Sequence, residues 1–304
     1  MPQAYAYTAF GGPQVESFLD LPVPEPGPGQ ILIKVKAAGV NPVDWKKRTG
    51  YRPAGAAASE LPAVFGGEAA GVVERAGPGV TGFAPGDEVF GQTITGGYAE
   101  YTLLLAGFTA PRPPSVSVED AATLPIAAAT AYDALTQLAL PAGRTLLVLG
   151  AGGGVGAAAV QLARHAGLVV VGAASAGKKA FVESLGAVHV ESGDGFADRV
   201  RGVAPGGVDA VLDLVGGVTL EQAAGLLSDP ERLVTAADRE LVARLGGVAV
   251  RRERTRAVLE TLAGLVSDGV LSPYVSEVFD LKDAPRALRL VEDGHARGKV
   301  VIKP

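Results

Sequence analysis

Thr145-Leu-Leu-Val-Leu-Gly-Ala-Gly-Gly-Gly-Val-Gly-Ala-Ala-Ala-Val-Gln-Leu-Ala-Arg-His-Ala-Gly167 is the stretch on which the fold turns. Thr145 and the apolar run Leu146 to Leu149 suit a short, buried parallel strand. The run breaks into glycines at 150–156 and resumes as an alanine-rich segment with helical spacing (Ala157, Val160, Leu162, Ala163). Strand, glycine turn and helix in that order build a phosphate site. Without Cβ atoms the backbone approaches a pyrophosphate closely, and the unpaired N–H groups of the first helical turn point at it. Counted back from Gly156, the motif reads Ala151-x-Gly153-x-x-Gly156, with alanine where the dinucleotide fingerprint has its first glycine. Ala151, Gly153, Gly154, Val155 and Gly156 are therefore the expected cofactor cradle. The alternative is a flexible loop joining two core elements.

Downstream, strands and helices alternate: strand 168–173, helix 177–185, strand 188–190, helix 195–203, strand 209–214, helix 218–227 and strand 232–235. That alternation predicts a doubly wound parallel sheet in an α/β fold. A helical segment over Val118–Leu138 precedes it, and a long helix near 253–268 follows. Upstream the character differs. Ile31 to Lys36 alternates as a half-buried strand does, apart from Leu32 and Ile33, after a proline-rich lead-in that cannot join a central strand. Further strands are expected at 69–73 and 87–90, separated by Gly77-Pro-Gly79 and Ala84-Pro-Gly-Asp87. The tail from Val275 to Lys303 reads strand, helix (281–291), strand (299–302) and is expected to return to this first β domain.

At 304 residues the chain is long enough for two domains. A net charge of −5 without any basic run argues against nucleic acid or an anionic membrane as partner. No apolar stretch reaches membrane-spanning length, and the first residues lack a basic-then-apolar signal pattern, so a cytoplasmic location is expected. The absence of cysteine excludes disulfides, a thiol nucleophile, thiolate zinc sites and iron–sulfur clusters. The histidines, His165, His189 and His295, are too scattered for a metal site and read as structural or solvated.

Cofactor selectivity is set at the end of the second strand. An NAD site places Asp or Glu there to hold the adenosine ribose. Here the strand runs into Ala173-Ala-Ser175-Ala-Gly-Lys178-Lys179, and the first acid, Glu183, comes a helical turn too late. A hydroxyl at Ser175 and an ammonium at Lys178, with Lys179 behind it, favour the extra 2′-phosphate of NADPH through charge-assisted hydrogen bonds. A solvated helix start is the other reading, although lysine opposes the helix dipole there.

Several further segments give the chain a resemblance along essentially its whole length. They are Ala38-Gly-Val-Asn-Pro-Val-Asp-Trp45, Gly66-Gly-Glu-Ala-Ala-Gly-Val-Val73, Leu124-Pro125 with Thr130-Ala-Tyr132, Gly207-Val-Asp-Ala-Val-Leu-Asp213 and Gly294-His-Ala-Arg-Gly-Lys-Val-Val301. With the glycine turn they resemble the medium-chain dehydrogenase/reductases, in particular their zinc-free quinone oxidoreductase branch. Zinc-dependent members carry a cysteine near position 41 and a histidine at 67, where this chain has Asn41 and Gly67. The resemblance implies a GroES-like catalytic domain (1–120 and 270–304), a Rossmann domain (121–269) and metal-free, NADPH-dependent hydride transfer. Two departures concern the cofactor: Thr235-Ala-Ala-Asp238 replaces a glycine-rich turn, and Gly193 stands where an aromatic residue is usual.

Without a metal to polarise a carbonyl, the plausible acceptors carry their own electron sink: quinones, or alkenes conjugated to a carbonyl. The reduced anion needs hydrogen-bond donors and a proton, expected from a cleft between the domains. Asn41 is the first candidate donor, or else a structural amide before Pro42. Tyr51 is a donor or a pocket wall in the small-residue loop Thr49–Ala58. Asp44 reads as an orienting group that can pair with Lys46 or Lys47, and Glu68 as a structural acid bound to backbone or a basic group. The resemblance places Thr130 and Tyr132 at the nicotinamide half, and Arg297 is a candidate for the cofactor phosphates or a plain surface cation. Three functions stay open: quinone reduction, enone reduction, or NADPH binding without turnover. A homodimer is expected through the edge strand Gly247–Val250.

Overall fold

The computed structural model describes residues 1–52 and 60–304. They divide into one unit formed by Met1–Ile126, Arg254–Ser267 and Val275–Pro304 and another formed by Ala127–Glu253 and Asp268–Tyr274.

In the first unit β1 (Gln3–Tyr7), β2 (Glu16–Asp20), β3 (Gln30–Val40), α1 (Pro42–Arg48), β4 (Ala63–Val64), β5 (Glu68–Ala76), β6 (Glu88–Thr93), β7 (Tyr101–Pro111) and α2 (Val118–Ala121) follow in order. β3 pairs antiparallel with both β5 and β7, and β6 joins those two, so four strands close on themselves and leave no raw edge. The alternation read in β3 has its physical cause here: Ile31, Ile33 and Val35 are buried while Lys34 and Lys36 face water. Leu32, the exception to the pattern, is buried as well.

The second unit runs α3 (Ala129–Leu138), β8 (Thr145–Leu149), α4 (Gly154–His165), β9 (Val169–Ala174), α5 (Lys179–Ser184), β10 (Val188–Glu191), α6 (Phe196–Val203), β11 (Ala210–Asp213), α7 (Gly217–Ala224), β12 (Leu233–Thr235), α8 (Arg239–Arg244) and β13 (Val248–Ala249). Its six strands are all parallel, in the order β10-β9-β8-β11-β12-β13. This is the doubly wound Rossmann arrangement, and strand order reverses between β8 and β11, so the glycine turn after β8 stands at the switch point. Leu147, Leu149, Val171, Val211 and Leu233 pack with Phe196 and Val200 of α6 in one core. Strand runs this apolar belong to sheets covered on both faces.

The chain then returns to the first unit as α9 (Arg256–Ser267), β14 (Val275–Asp280), α10 (Ala284–Glu292) and β15 (Lys299–Lys303). β15 pairs antiparallel with β3, so the tail extends the β sheet of the first unit. α9, drawn with the nucleotide domain in the sequence-based boundaries, groups with the first unit, where Arg256 lies over the Phe83 ring. The single helix expected over 118–138 is broken. Leu124–Ala128, which contains Pro125, forms a wide π turn between α2 and α3. Proline has no N–H to give the α ladder and crowds the preceding turn, so a regular helix does not pass through it.

Candidate functional site

In the second unit the glycine turn is held from within. Gly150 and Ala151 both donate their N–H groups to Ala173 O at 3.0 Å, and Gly153 donates to Gly150 O at 3.1 Å. The first three N–H groups of α4, those of Gly154, Val155 and Gly156, have no acceptor among the described residues. Free donors at the positive end of a twelve-residue helix suit an anion. Gly156 has to be glycine, because a Cβ there would lie 2.2 Å from Gly150 O. Alanine at 151 has a local explanation in the next strand: a Cβ on Gly172 would fall 2.9 Å from the Ala151 methyl, so the missing side chain at 172 makes room for the one at 151. The turn thus fits a dinucleotide's pyrophosphate despite its imperfect motif.

β9 ends beside this turn. Ser175, exposed, caps the short turn Ala176–Lys178 without spending its hydroxyl on it. The Lys178 side chain crosses Gly152 so closely that a Cβ there would meet Lys178 Cδ at 2.6 Å. Lys179 points elsewhere and pairs with Glu183 one turn along α5. The candidate pair for a 2′-phosphate therefore narrows to Ser175 and Lys178.

Thr130 is buried on the first turn of α3, and its hydroxyl accepts from Arg252 at 2.5 Å. The same guanidinium bonds Asp133 at 2.8 Å. Burial pushes the Asp133 carboxyl up, against the pull of Arg252. Arg252 had no signal in the sequence, since it lies 122 residues from Thr130.

The first unit holds a denser constellation. Asn41 opens α1, buried, with its amide engaged at both ends: Nδ2 donates to Glu68 Oε1 at 2.8 Å and Oδ1 accepts from Lys299 Nζ at 2.7 Å. Lys299 also donates to Glu68 Oε1 at 2.9 Å and Val40 O at 3.0 Å, using its three protons. Glu68 Oε2 accepts from the Ile126 N–H at 2.7 Å. Glu68 is thus bound to both backbone and a basic group. Of the Asn41 amide, read from the sequence as a donor to a substrate oxygen, the oxygen is taken by Lys299, brought in by β15 from 258 residues away, and one of the two N–H groups by Glu68.

Asp44, one turn into α1, accepts at Oδ2 from the Asn41 N–H and from the Tyr98 hydroxyl, each at 2.9 Å. Its partner is Tyr98 in place of an ion pair with Lys46 or Lys47. Burial pushes the Asp44 carboxyl up to about 6 and the Tyr98 phenol well above its usual value. Asp44 lines a cavity of 610 Å³ together with Tyr7, Val64, Phe65, Ile94 and Tyr101. Tyr51 is about half exposed, its N–H bonded to Lys46 O. Most of the loop Thr49–Ala58 lies outside the described residues. Arg297 is exposed on the turn between α10 and β15, with no ion pair among the described residues.

The zinc positions of metal-dependent relatives read differently here. A Cβ at Gly67 would lie 2.8 Å from Ile126 Cδ1, so an isoleucine fills the space beside it, and Asn41 is tied to a lysine. Among the described residues no cluster of His, Cys, Asp or Glu is placed to hold a metal, and no helix is long and apolar enough to cross a membrane.

Residues 27–114 match the alcohol dehydrogenase GroES-like domain and residues 185–302 the zinc-binding dehydrogenase family. The rat quinone oxidoreductase is 33% identical, over 96% of this chain and 95% of its own length. The 2-methylene-furan-3-one reductase of Solanum lycopersicum is 33% identical over 99% of this chain and 79% of its own. Mycobacterial Rv1454c, solved in complex with NADPH, superposes with a TM-score of 0.89 at 31% identity over the full length of both chains. The chain also matches longer proteins in part: it is 34% identical to the Streptomyces orinoci spectinabilin polyketide synthase protein NorB but spans only 14% of it. The chain belongs to the medium-chain dehydrogenase/reductase family, a family of nucleotide-binding oxidoreductases, with a GroES-like domain and a Rossmann domain.

Proposed function

We propose that this protein is an NADPH-dependent, zinc-independent reductase that delivers hydride to a quinone-type acceptor. The observation that carries the reading is the glycine turn at the switch point, with free N–H groups at 154–156 and Ser175 and Lys178, not an acid, at the end of β9. Those N–H groups take the pyrophosphate, with Ala151 and Gly153 shaping its approach. Ser175 and Lys178 take the 2′-phosphate. NADPH, when bound, supplies hydride from its nicotinamide C4. Thr130, fixed by Arg252, borders the nicotinamide half, and exposed Arg297 is available to a phosphate. Asn41 anchors the start of α1 through Glu68 and Lys299, and Tyr51 serves as donor or wall for the acceptor.

Zinc independence is supported by chemistry at the two marker positions: an amide held by a lysine at 41, and glycine against isoleucine at 67. Without a Lewis acid the acceptor must bring its own electron sink. Likeness to the tomato 2-methylene-furan-3-one reductase favours a conjugated enone as the second substrate class. We also propose a homodimer joined along β13, which ends its sheet with a single pairing partner.

Steady-state oxidation of NADPH and of NADH against naphthoquinone and an alkyl vinyl ketone, with and without a chelator, tests the reading. The expected result is at least ~10-fold preference for NADPH, turnover with quinone, and indifference to chelation. Equal use of NADH, activity lost to the chelator and restored by zinc, or no turnover with either acceptor would overturn it.

A further inference from the structure

The segment Asp268–Tyr274 joins α9 to β14, yet it groups with the second unit while both of those neighbours group with the first. Gln161 of α4 holds it with both ends of its side-chain amide: Nε2 donates to Ser272 O at 2.8 Å, and Oε1 accepts from the Ser272 N–H at 2.9 Å. Leu271 and Pro273 are buried on either side of that clamp. Tyr274 ends the strap with its ring 4.4 Å from the Phe181 ring of α5, centroid to centroid. Its backbone has a φ of +50°, in the left-handed region, which among the described non-glycine residues only Ala139 shares. A bulky residue takes that conformation at a cost that glycine does not have. The advantage of tyrosine over glycine at 274 therefore lies in its ring. The ring is no core group, since Tyr274 is 39% exposed while Phe181 beneath it is 6% exposed. It acts as a cover for Phe181.

Phe181 matters because of the helix it anchors. α5 has six residues, too few to hold a helix by themselves, and only Phe181 and Val182 of it are buried. Val182 faces β9, where a Cβ on Gly172 would meet Val182 Cγ1 at 2.7 Å. Phe181 faces the strap. The turn Ala176–Lys178 runs directly into α5, with the Lys178 N–H donating to Ser175 O at 2.9 Å. The path of Lys178 across Gly152 is thus set by β9 at one end and by the seat of α5 at the other. Resting on the reading that Ser175 and Lys178 take a 2′-phosphate, we propose that Tyr274 is a positioning residue for that site. Through Phe181 it seats α5 and so holds Lys178 for the phosphate, which makes the preference for NADPH depend on a strap far along the chain. An aromatic pair of this kind shifts an equilibrium by roughly 2- to 12-fold, and without it the cost of seating α5 falls on phosphate binding. The dependence is reciprocal: a phosphate that holds Lys178 also tightens the strap.

The test is calorimetric titration of the full chain with NADPH and with NADH, in wild type, Tyr274→Ala, Tyr274→Gly and Tyr274→Phe. Loss of the ring, in Tyr274→Ala and Tyr274→Gly alike, should weaken NADPH by roughly 3- to 10-fold and leave NADH within about twofold. Tyr274→Phe keeps the ring and should keep the wild-type preference. Tyr274→Gly frees the backbone of its cost, so wild-type NADPH affinity in that variant would overturn the proposal. Equal weakening of both nucleotides would overturn it too, since that marks a residue that only stabilises the unit. A second readout needs no variant: hydrogen exchange at the amides of Leu271, Ser272 and Tyr274 should slow more under saturating NADPH than under saturating NADH. Equal protection by the two nucleotides counts against the strap. A wild type that binds NADPH and NADH equally refutes the phosphate reading and the proposal with it. A preference that is lost in Lys178→Ala but kept in Tyr274→Ala refutes the role of Tyr274 alone.

Discussion

Replacing Lys299 with methionine removes the charge around which the buried cluster of the first unit is built. The lysine makes hydrogen bonds of 2.7, 2.9 and 3.0 Å to Asn41, Glu68 and Val40, and both it and Glu68 are almost wholly buried. Methionine has similar length and fills the space, so packing loss is small. What remains is a carboxylate with two N–H donors, Asn41 Nδ2 and the Ile126 amide, and no counter-charge. Removing one partner of a buried pair costs about 3–5 kcal/mol, because the other charge keeps its full desolvation penalty. Glu68→Gln alone should cost about as much, and removing both charges together only about 1–2 kcal/mol, so the coupling is roughly 4 kcal/mol or more. Trp45 is the sole tryptophan and sits in α1, so its fluorescence in a urea titration reports unfolding of the first unit alone. A single-variant loss below about 1 kcal/mol, or strict additivity in the cycle, would refute the view that this pair is an interdependent electrostatic unit.

Two further outcomes are expected. Lys178→Ala should weaken NADPH by about 1.5–3 kcal/mol, the range of a hydrogen bond to a charged group, while leaving NADH binding within twofold in calorimetric titration. Equal weakening of both nucleotides would remove the lysine from phosphate recognition. The Asp44 carboxyl, raised from 3.8 to about 6 by burial, makes the folded chain bind more protons than the unfolded one between those values. Unfolding free energy should therefore fall as pH rises through that window, by about 3 kcal/mol at roughly 1.4 kcal/mol per pH unit, with the penalty complete above about 6. Asp44→Asn should erase this slope in Trp45-monitored urea titrations, and an unchanged slope would show that another group sets it.

What could be read from the chain in advance follows a physical division. The parallel sheet was legible because its signals are local: apolar runs of strand length, helical periodicity and glycines at the turns repeat within a few tens of residues. The candidate cofactor cradle is drawn from equally local signals, since Ala151 to Gly156 and Ser175 to Lys178 lie along two consecutive strand-to-helix connections. The break at Leu124–Ala128 was missed although Pro125 announces it, because the flanking residues keep helical spacing across the π turn. Polar partnerships across long separations left no pattern to read. Lys299 lies 231 residues from Glu68, Tyr98 lies 54 from Asp44, and Arg252 lies 122 from Thr130. The direction of the Asn41 amide has no local signal, because it depends on Glu68 and on a lysine delivered by β15.

That delivery also sets an order of events during protein synthesis. β3 and β5, with Asn41 and Glu68 at their ends, leave the ribosome long before β15 does. At about 5–20 residues per second the intervening 231 residues take roughly 10–50 s. Throughout that interval the nascent first unit carries a carboxylate that it cannot bury without its ammonium, and the strands of the Rossmann sheet are all made within it. The nucleotide-binding unit is therefore the part free to fold while translation continues, and the β unit closes only once β15 has emerged.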